Sequence, residues 1–280
     1  MTKFTKMHGC GNDFIYFDCF NDVKDISDPQ ILAAKISDRN KSIGGDGIVL
    51  IMPSAIADAK MRMFNADGSE SLMCGNSIRC VGKYLYDMGL VKDLDIKIET
   101  VSGIKELTLL KENGVIAAAR VNMGKAILEP ESIPVNLSGT MAVARQVSIS
   151  GNSFEITCVS MGTPHAIIFH DDIDLFNLAN IGAMFEASDL FPEGINLGVV
   201  QTISRNHIRM RVWERGTGET MASGTSACAA AVSAVLMGYS DKNSDIKVEV
   251  AGGILTINYT CDTVFMTGDC VTIYEGWVQI

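Results

Sequence analysis

Two stretches of this chain, 149 positions apart, are copies of one another. Residues 64–89 read FNADGSESLMCGNSIRCVGKYLYDMG, and residues 213–238 read WERGTGETMASGTSACAAAVSAVLMG. Without a gap, Glu70 falls on Glu219, Cys74 on Ser223, Gly75 on Gly224, Ser77 on Ser226, Met88 on Met237 and Gly89 on Gly238. A repeat of this kind restricts the fold to two similar halves, each with a small-residue turn leading into an apolar helix. Cys74 and Ser223 each stand at the start of that helix. Two facing helix N-termini of this kind can hold one anion and offer a proton acceptor to each face of one carbon.

With 280 residues, 47% of them hydrophobic and 20% charged, the chain can bury a sizeable core. A net charge of −10 argues against nucleic acid as a partner, since phosphate binding calls for a basic surface. The longest apolar run, 227–237, is too short to span a bilayer, so no membrane partner is expected. Eight cysteines form no CxxC pair and no zinc-finger spacing with histidine, which leaves no metal site to predict. The opening MTKFTKMHGCGNDF lacks an apolar signal region. Thiols in a reducing cytoplasm are the expectation, with the cysteines other than Cys74 and Cys228 read as packing residues and Cys228 as buried in its helix.

Periodicity predicts strands at 3–19 (two, around a Gly-rich turn), 47–52, 60–65, 95–100, 104–111 and 114–123. It predicts short helices at 29–38 and 76–89, with Gly89 as a C-cap. The segment 124–138, with Pro130 and Pro134, reads as an inter-domain connection. The order then recurs: strands near 142–149, 154–161, 166–169, 195–201 and 207–213, helices near 175–185 and 225–237, and closing strands at 247–250, 254–259, 264–267 and 271–274. The expected fold class is α+β, a strand-rich mixed chain with about one central helix per half.

At Cys74-Gly75-Asn76, a thiolate would sit near the positive end of the helix dipole, and Gly75 lets a ligand approach the backbone. First-turn N–H groups can hold a carboxylate. Ser223-Gly224-Thr225 presents the same geometry. Helix capping alone would account for one such sequence, but capping does not require two matched copies. Asn12 and Asn65 sit in turns beside Gly or Asp, and Asn196 follows the FPEG turn. The adjacent charges Glu214 and Arg215 suit an amino-acid ligand, Arg215 for a carboxylate and Glu214 for an ammonium; alone, the pair equally fits a surface salt bridge. His165, in GTPHA, is either a structural histidine or a partner for a thiol.

These residues carry a resemblance. KMHGCGNDF, IGGDG, FNADGSESLMCGNSIRC, MGTPHA, FPEGIN and WERGTGETMASGTSACA, in this order, resemble the diaminopimelate epimerases, pyridoxal-phosphate-independent amino-acid epimerases of lysine and peptidoglycan synthesis. The resemblance implies two pseudo-symmetric halves, 1–122 joined by the last strand (about 268–280) and 123–267, each a strand layer wrapped around a central helix. It implies an active site in the cleft between them, a homodimer, and no metal or organic cofactor. LL- and meso-diaminopimelate would be interconverted by two-base proton transfer at the α-carbon. Cys74 would be the first catalytic group, with His165 beside it. The amides of Gly75, Asn76, Gly224 and Thr225 would hold the reacting carboxylate. Asn65, Asn196, Glu214 and Arg215 would read the distal end, with Asn12 nearby.

The chain departs from the family pattern at three places. The second motif normally reads ACGTG, whereas residues 222–226 read ASGTS, so Ser223 stands in place of the second cysteine. A hydroxyl is a far weaker acid than a thiol and needs activation as a base, for which Glu214 is a candidate. Thr163 stands where the distal-carboxylate Asn of GNPH is usual. Gly47 lies in a turn that often carries a polar residue. Two alternatives follow: a related cofactor-independent racemase for another amino acid, or a one-base or inactive variant.

Overall fold

The computed structural model describes residues 1–21 and 26–280. They divide into two compact units, Met1–Asn122 with Thr267–Ile280, and Met123–Met266. Both are strand-rich α+β units built in one order.

In the first unit, β1 (Thr2–Gly9) and β2 (Asn12–Asp18) form a hairpin. Its turn residues Cys10 and Gly11 take φ of 52° and 77°, the left-handed pair that suits two-residue hairpins. After α1 (Pro29–Ile36) come β3 (Gly47–Met52), parallel to β2, and β4 (Ala59–Asn65), antiparallel to β3. The short β5 (Glu70–Ser71) folds back on β4 and leads into α2 (Gly75–Asp87). Then β6 (Asp95–Thr100) pairs parallel with β4, β7 (Gly103–Glu112) antiparallel with β6, and β8 (Val115–Lys125) antiparallel with β7. Helix α2 buries Ile78, Val81 and Leu85 at helical spacing. At Gly82 a Cβ would meet Leu109 at 2.8 Å, so glycine is what lets the helix lie this close to β7.

The second unit repeats the sequence of pairings. β9 (Arg145–Ile149), β10 (Asn152–Ser160) and β11 (Pro164–Phe169) are antiparallel neighbours. After α3 (Leu178–Glu186), β12 (Asn196–Ser204) runs parallel to β11, and β13 (His207–Glu214) antiparallel to β12. β14 (Gly218–Thr220) folds back on β13 and leads into α4 (Gly224–Leu236); β15 (Asp245–Val250) pairs parallel with β13, and β16 (Gly253–Tyr259) antiparallel with β15. Helix α4 is lined with small residues, and Ala227, Ala229, Ala230, Ala231 and Ala234 are all buried. Both repeat helices end alike: Gly89 and Gly238 take φ of 69° and 79°, and the amides of Leu90 and Tyr239 donate back to Leu85 O and Ala234 O at 2.9 and 2.8 Å. This is a Schellman stop. After β17 (Thr263–Asp269), β18 (Val271–Val278) pairs antiparallel with β1 and so belongs to the first unit.

One expectation fails. The segment 124–138 is not a connection between domains. Gly124 and Lys125 still belong to β8, Ile127 exchanges backbone hydrogen bonds with Ser160 at 2.9 Å both ways, and Ile133 and Val135 are buried in the second unit's core with Phe185 and Phe191. Prolines punctuate this stretch, but its apolar side chains have a core to enter. The Pro130–Ser132 turn satisfies the local backbone, with Val135 N donating to Pro130 O at 2.9 Å. Sequence reasoning also passed over β5 and β14, which are too short to show a period.

Candidate active site

The two helix starts have the same backbone. Cys74 takes φ −131° and ψ 122°, and Ser223 φ −128° and ψ 115°. Each residue's carbonyl accepts the first helical bond, from Ile78 N at 3.0 Å and Ala227 N at 2.9 Å. Neither side chain caps its helix, although serine is a favoured capping residue. Each helix start is delivered by a clamped hairpin. Arg62 grips Glu70 through two bonds of 2.7 and 2.9 Å, and Arg211 grips Glu219 at 2.8 and 3.0 Å. These paired forks hold β5 on β4 and β14 on β13.

In the first unit, Cys74 Sγ donates to Asn12 Oδ1 at 3.4 Å, and Asn76 Nδ2 donates to the same oxygen at 3.3 Å. Asn12 is fixed from behind, donating Nδ2 to Asp46 at 2.6 Å, while Arg39 bridges Asp46 and Asp13. Burial raises the Asp13 carboxyl, but the hydrogen bonds from Arg39 and Lys6 outweigh it and leave its pKa below the ordinary carboxylate value. Asn76 Oδ1 accepts from Arg79 Nη1 at 3.1 Å. Arg79 is fully buried and also donates to Gly75 O at 3.1 Å and Asp269 O at 3.0 Å. Asn65, at the end of β4, donates its side-chain amide to Ser69 Oγ at 2.9 Å within the turn before β5. A Cβ at Gly47 would stand 2.1 Å from Phe64 O, so this position has no room for the polar side chain the family often carries.

The second unit builds its helix start differently. Ser226 Oγ donates to Ser223 Oγ at 2.9 Å and lies 3.2 Å from His165 Nδ1. His165 Nε2 is 3.0 Å from Thr163 Oγ1, which is 3.5 Å from Thr225 Oγ1. His165 is fully buried, and burial first, then the charge of Arg215, pushes its pKa down to about 3. Ser223 Oγ has the hydroxyls of Ser226 and Thr225 as hydrogen-bond neighbours, and the Glu214 carboxylate accepts from Thr220 Oγ1 at 2.5 Å. Asn196 braces the corner rather than pointing out of it: Nδ2 donates to Pro164 O at 3.2 Å, and Oδ1 accepts from Arg215 N at 2.9 Å. Arg215 is exposed and donates to Glu193 O. Helix α3 secures this corner from below, since Glu186 accepts from Trp213 Nε1 and Gly216 N, both at 2.9 Å.

In each unit the residues singled out in the sequence gather at one end of the sheet around the helix start. Register relates them: Asn12 begins β2 as Thr163 precedes β11, and Asn65 and Glu214 close β4 and β13. Sequence reasoning missed Arg79 and Asp46, which look like ordinary surface charges, and Ser226, whose one signal was its place in the ASGTS motif. Among the described residues no group of three or more His, Cys, Asp or Glu side chains converges to hold a metal. Burial pushes the Cys10, Cys80 and Cys158 thiols up to about 12 and Cys270 to about 11, as expected for packing residues. Cys228 is buried as well. Cys261 is exposed, which corrects its reading as a packing residue; it lies in the tight turn before β17.

The sequence matches the family model described as diaminopimelate epimerase over residues 4–129 and 157–273. It is 48% identical over 278 residues to the diaminopimelate epimerase of Acetivibrio thermocellus, covering 99% of each chain. It is 51% identical over 283 residues to that of Desulfovibrio desulfuricans, covering 98% of this chain and 97% of the other. Among solved structures, a Bacillus anthracis phenazine biosynthesis protein of the PhzF family shares the fold, with a TM-score of 0.72 at 18% identity over 100% of this chain and 99% of that one. This chain belongs to the diaminopimelate epimerase family.

Proposed function

We propose that the protein is a diaminopimelate epimerase, a cofactor-independent isomerase that interconverts LL- and meso-2,6-diaminopimelate by moving the α-proton. The observation that carries this reading is the pair of uncapped helix starts with matching backbone angles, one headed by Cys74 and the other by Ser223. Cys74 serves one face of the α-carbon and Ser223 the other. As the C–H bond breaks, negative charge spreads into the carboxylate, which the amides of Gly75, Asn76, Gly224 and Thr225 stabilise at the positive helix ends. Asn12 and Thr163 flank the reacting end. Asn65, Glu214 and Arg215 read the distal ammonium and carboxylate, and Asn196 holds Arg215 in place.

The enzyme works without metal or organic cofactor, as a cytoplasmic homodimer in lysine and peptidoglycan synthesis. The exposed apolar side chains Ile273, Tyr274 and Trp277 of β18 favour self-association. No helix among the described residues is long and apolar enough to cross a membrane. Incubation with LL-diaminopimelate in heavy water, with chiral separation, tests the reaction: deuterium uptake with inversion supports it, and its absence at every pH rejects it. Sedimentation equilibrium tests the dimer.

A second reading, a racemase for another amino acid, draws on Thr163, whose hydroxyl faces His165 and Thr225. Competition between diaminopimelate and amino acids with a single carboxylate separates the two.

A further inference from the structure

Behind Ser223 runs a line of polar atoms that helix formation does not require. Ser226 gives its proton to Ser223 Oγ at 2.9 Å, so at 3.2 Å it can receive one from His165 Nδ1, and Nε2 stands 3.0 Å from Thr163 Oγ1. Ser226 and His165 are fully buried, and Ser223 keeps 5% of its surface exposed. The repeat supplies an internal control. Ser77 holds in α2 the place that Ser226 holds in α4, but its neighbour is Tyr16, whose hydroxyl donates to Ser77 O at 3.3 Å. Phe14, opposite Gly47, stands where His165 stands opposite Asn196. The half that starts its helix with a thiol sets Phe14 where the imidazole would stand. The half that starts with a hydroxyl joins it to an imidazole.

A serine hydroxyl is a poor acid and its alkoxide is costly to form, so proton transfer to and from carbon needs a group behind it. We propose that Ser226 and His165 are positioning residues that relay the α-proton through Ser223, which allows a hydroxyl to replace the second thiol. This deepens the epimerase reading and rests on it. In delivery, the Ser223 proton joins the electron pair on the α-carbon, the Ser226 proton refills Ser223, the Nδ1 proton refills Ser226, and an imidazolium becomes neutral imidazole. In capture, the C–H bond breaks, its electron pair stays on carbon, and each proton moves one place inward until the imidazole is charged. Hydroxyl rotation and a ring hydrogen on Nε2, given to Thr163, orient the same atoms for capture. Cys74 passes between thiolate and thiol in the opposite sense, so the proton count is unchanged over a turnover and nothing is oxidised or reduced. Burial and the Arg215 charge keep the ring neutral without substrate; a substrate carboxylate beside Arg215 offsets that charge, and before a delivery step the ring takes its second proton from solvent as Cys74 gives one up.

Ser226→Ala tests the relay, because it removes one oxygen from the helix interior and leaves the backbone unchanged. Deuterium uptake is followed separately from each diaminopimelate stereoisomer. The isomer deprotonated through Ser223 is expected to lose exchange by about 10²-fold or more, with little change in KM. The isomer deprotonated by Cys74 is expected to keep exchanging without inverting. His165→Gln should give the same one-sided loss. Equal slowing of both isomers, or slowing of neither, overturns the relay. A readout without substrate separates this from the epimerase reading. In protein labelled with ¹⁵N-histidine, Ser226→Ala should shift the His165 Nδ1 resonance, and an unmoved resonance overturns the relay whatever the protein's substrate. Wild-type protein that neither exchanges nor inverts diaminopimelate counts against the epimerase reading alone.

Discussion

Cys74 and Ser223 leave their hairpins with nearly the same backbone angles, but the side chains behind them come from different chemistries. In the first unit a buried cation, Arg79, holds Asn76 and Gly75, and a carboxylate, Asp46, holds Asn12. In the second, Cys228 takes the place of Arg79, and a neutral set of Ser226, His165 and Thr163 stands behind the helix start. The repeat sets where Cys74 and Ser223 sit. Under the proposed relay the two surroundings suit two groups: a thiol can work with a fixed amide beside it, whereas a hydroxyl needs a proton path.

The largest test of this comparison is loss of either group. Cys74→Ala and Ser223→Ala should each lower epimerisation by roughly 10³-fold, in the middle of the range of general acid–base effects. A Ser223→Ala protein keeping more than about a tenth of the rate would break the parallel, because no group at that helix start would then hand a proton to carbon. Next comes the exchange of chemistries. In a double-mutant cycle scored by turnover, Ser223→Cys should reduce the penalty of Ser226→Ala, since a thiol has less need of a relay. Additive penalties would mean that Ser226 does not act through position 223.

Stability separates the two braces. Arg79→Met leaves the carbonyls of Asp269 and Gly75 without their buried donor and should cost about 1–3 kcal/mol for each carbonyl left unpaired, read in urea unfolding. Cys228→Ala, at the matching place, should cost only about 1 kcal/mol. Near-equal losses would show that the first unit does not depend on its cation. The last test is in pH. His165 has its pKa lowered from 6.5 to about 3 in the folded protein, so between these values the unfolded chain binds the extra proton. Stability is then fully present above pH 6.5 and falls with acidification by about 1.4 kcal/mol per pH unit until about pH 3. His165→Gln should remove that slope between pH 6 and 5, where few carboxylates titrate, as read from unfolding midpoints at each pH.

Much of the architecture was legible in the residues. Strands with clear alternation, such as β3 and β4, and helix α2, with its apolar spacing and Gly89 stop, lie where periodicity predicts them. The segment 124–138 was misread because prolines signal turns whether or not neighbouring Ile133 and Val135 enter a core. The site was legible at the helix starts, where Gly and Asn mark special backbone. It was not legible behind them.

The sequence by itself determined that the fold is duplicated, that each half carries one helix with a thiol or a hydroxyl at its start, and which family the chain joins. These are properties of local backbone preference and of repeated pattern, and they survive translation along the chain. Only the tertiary structure decided which atoms stand next to Cys74 and Ser223. Asn12 reaches Cys74 across 62 residues, His165 reaches Ser226 across 61, and Arg79 reaches Asp269 across 190. Such partners are chosen by strand pairing and burial, which bring distant side chains into a space where each buried polar atom must find a mate.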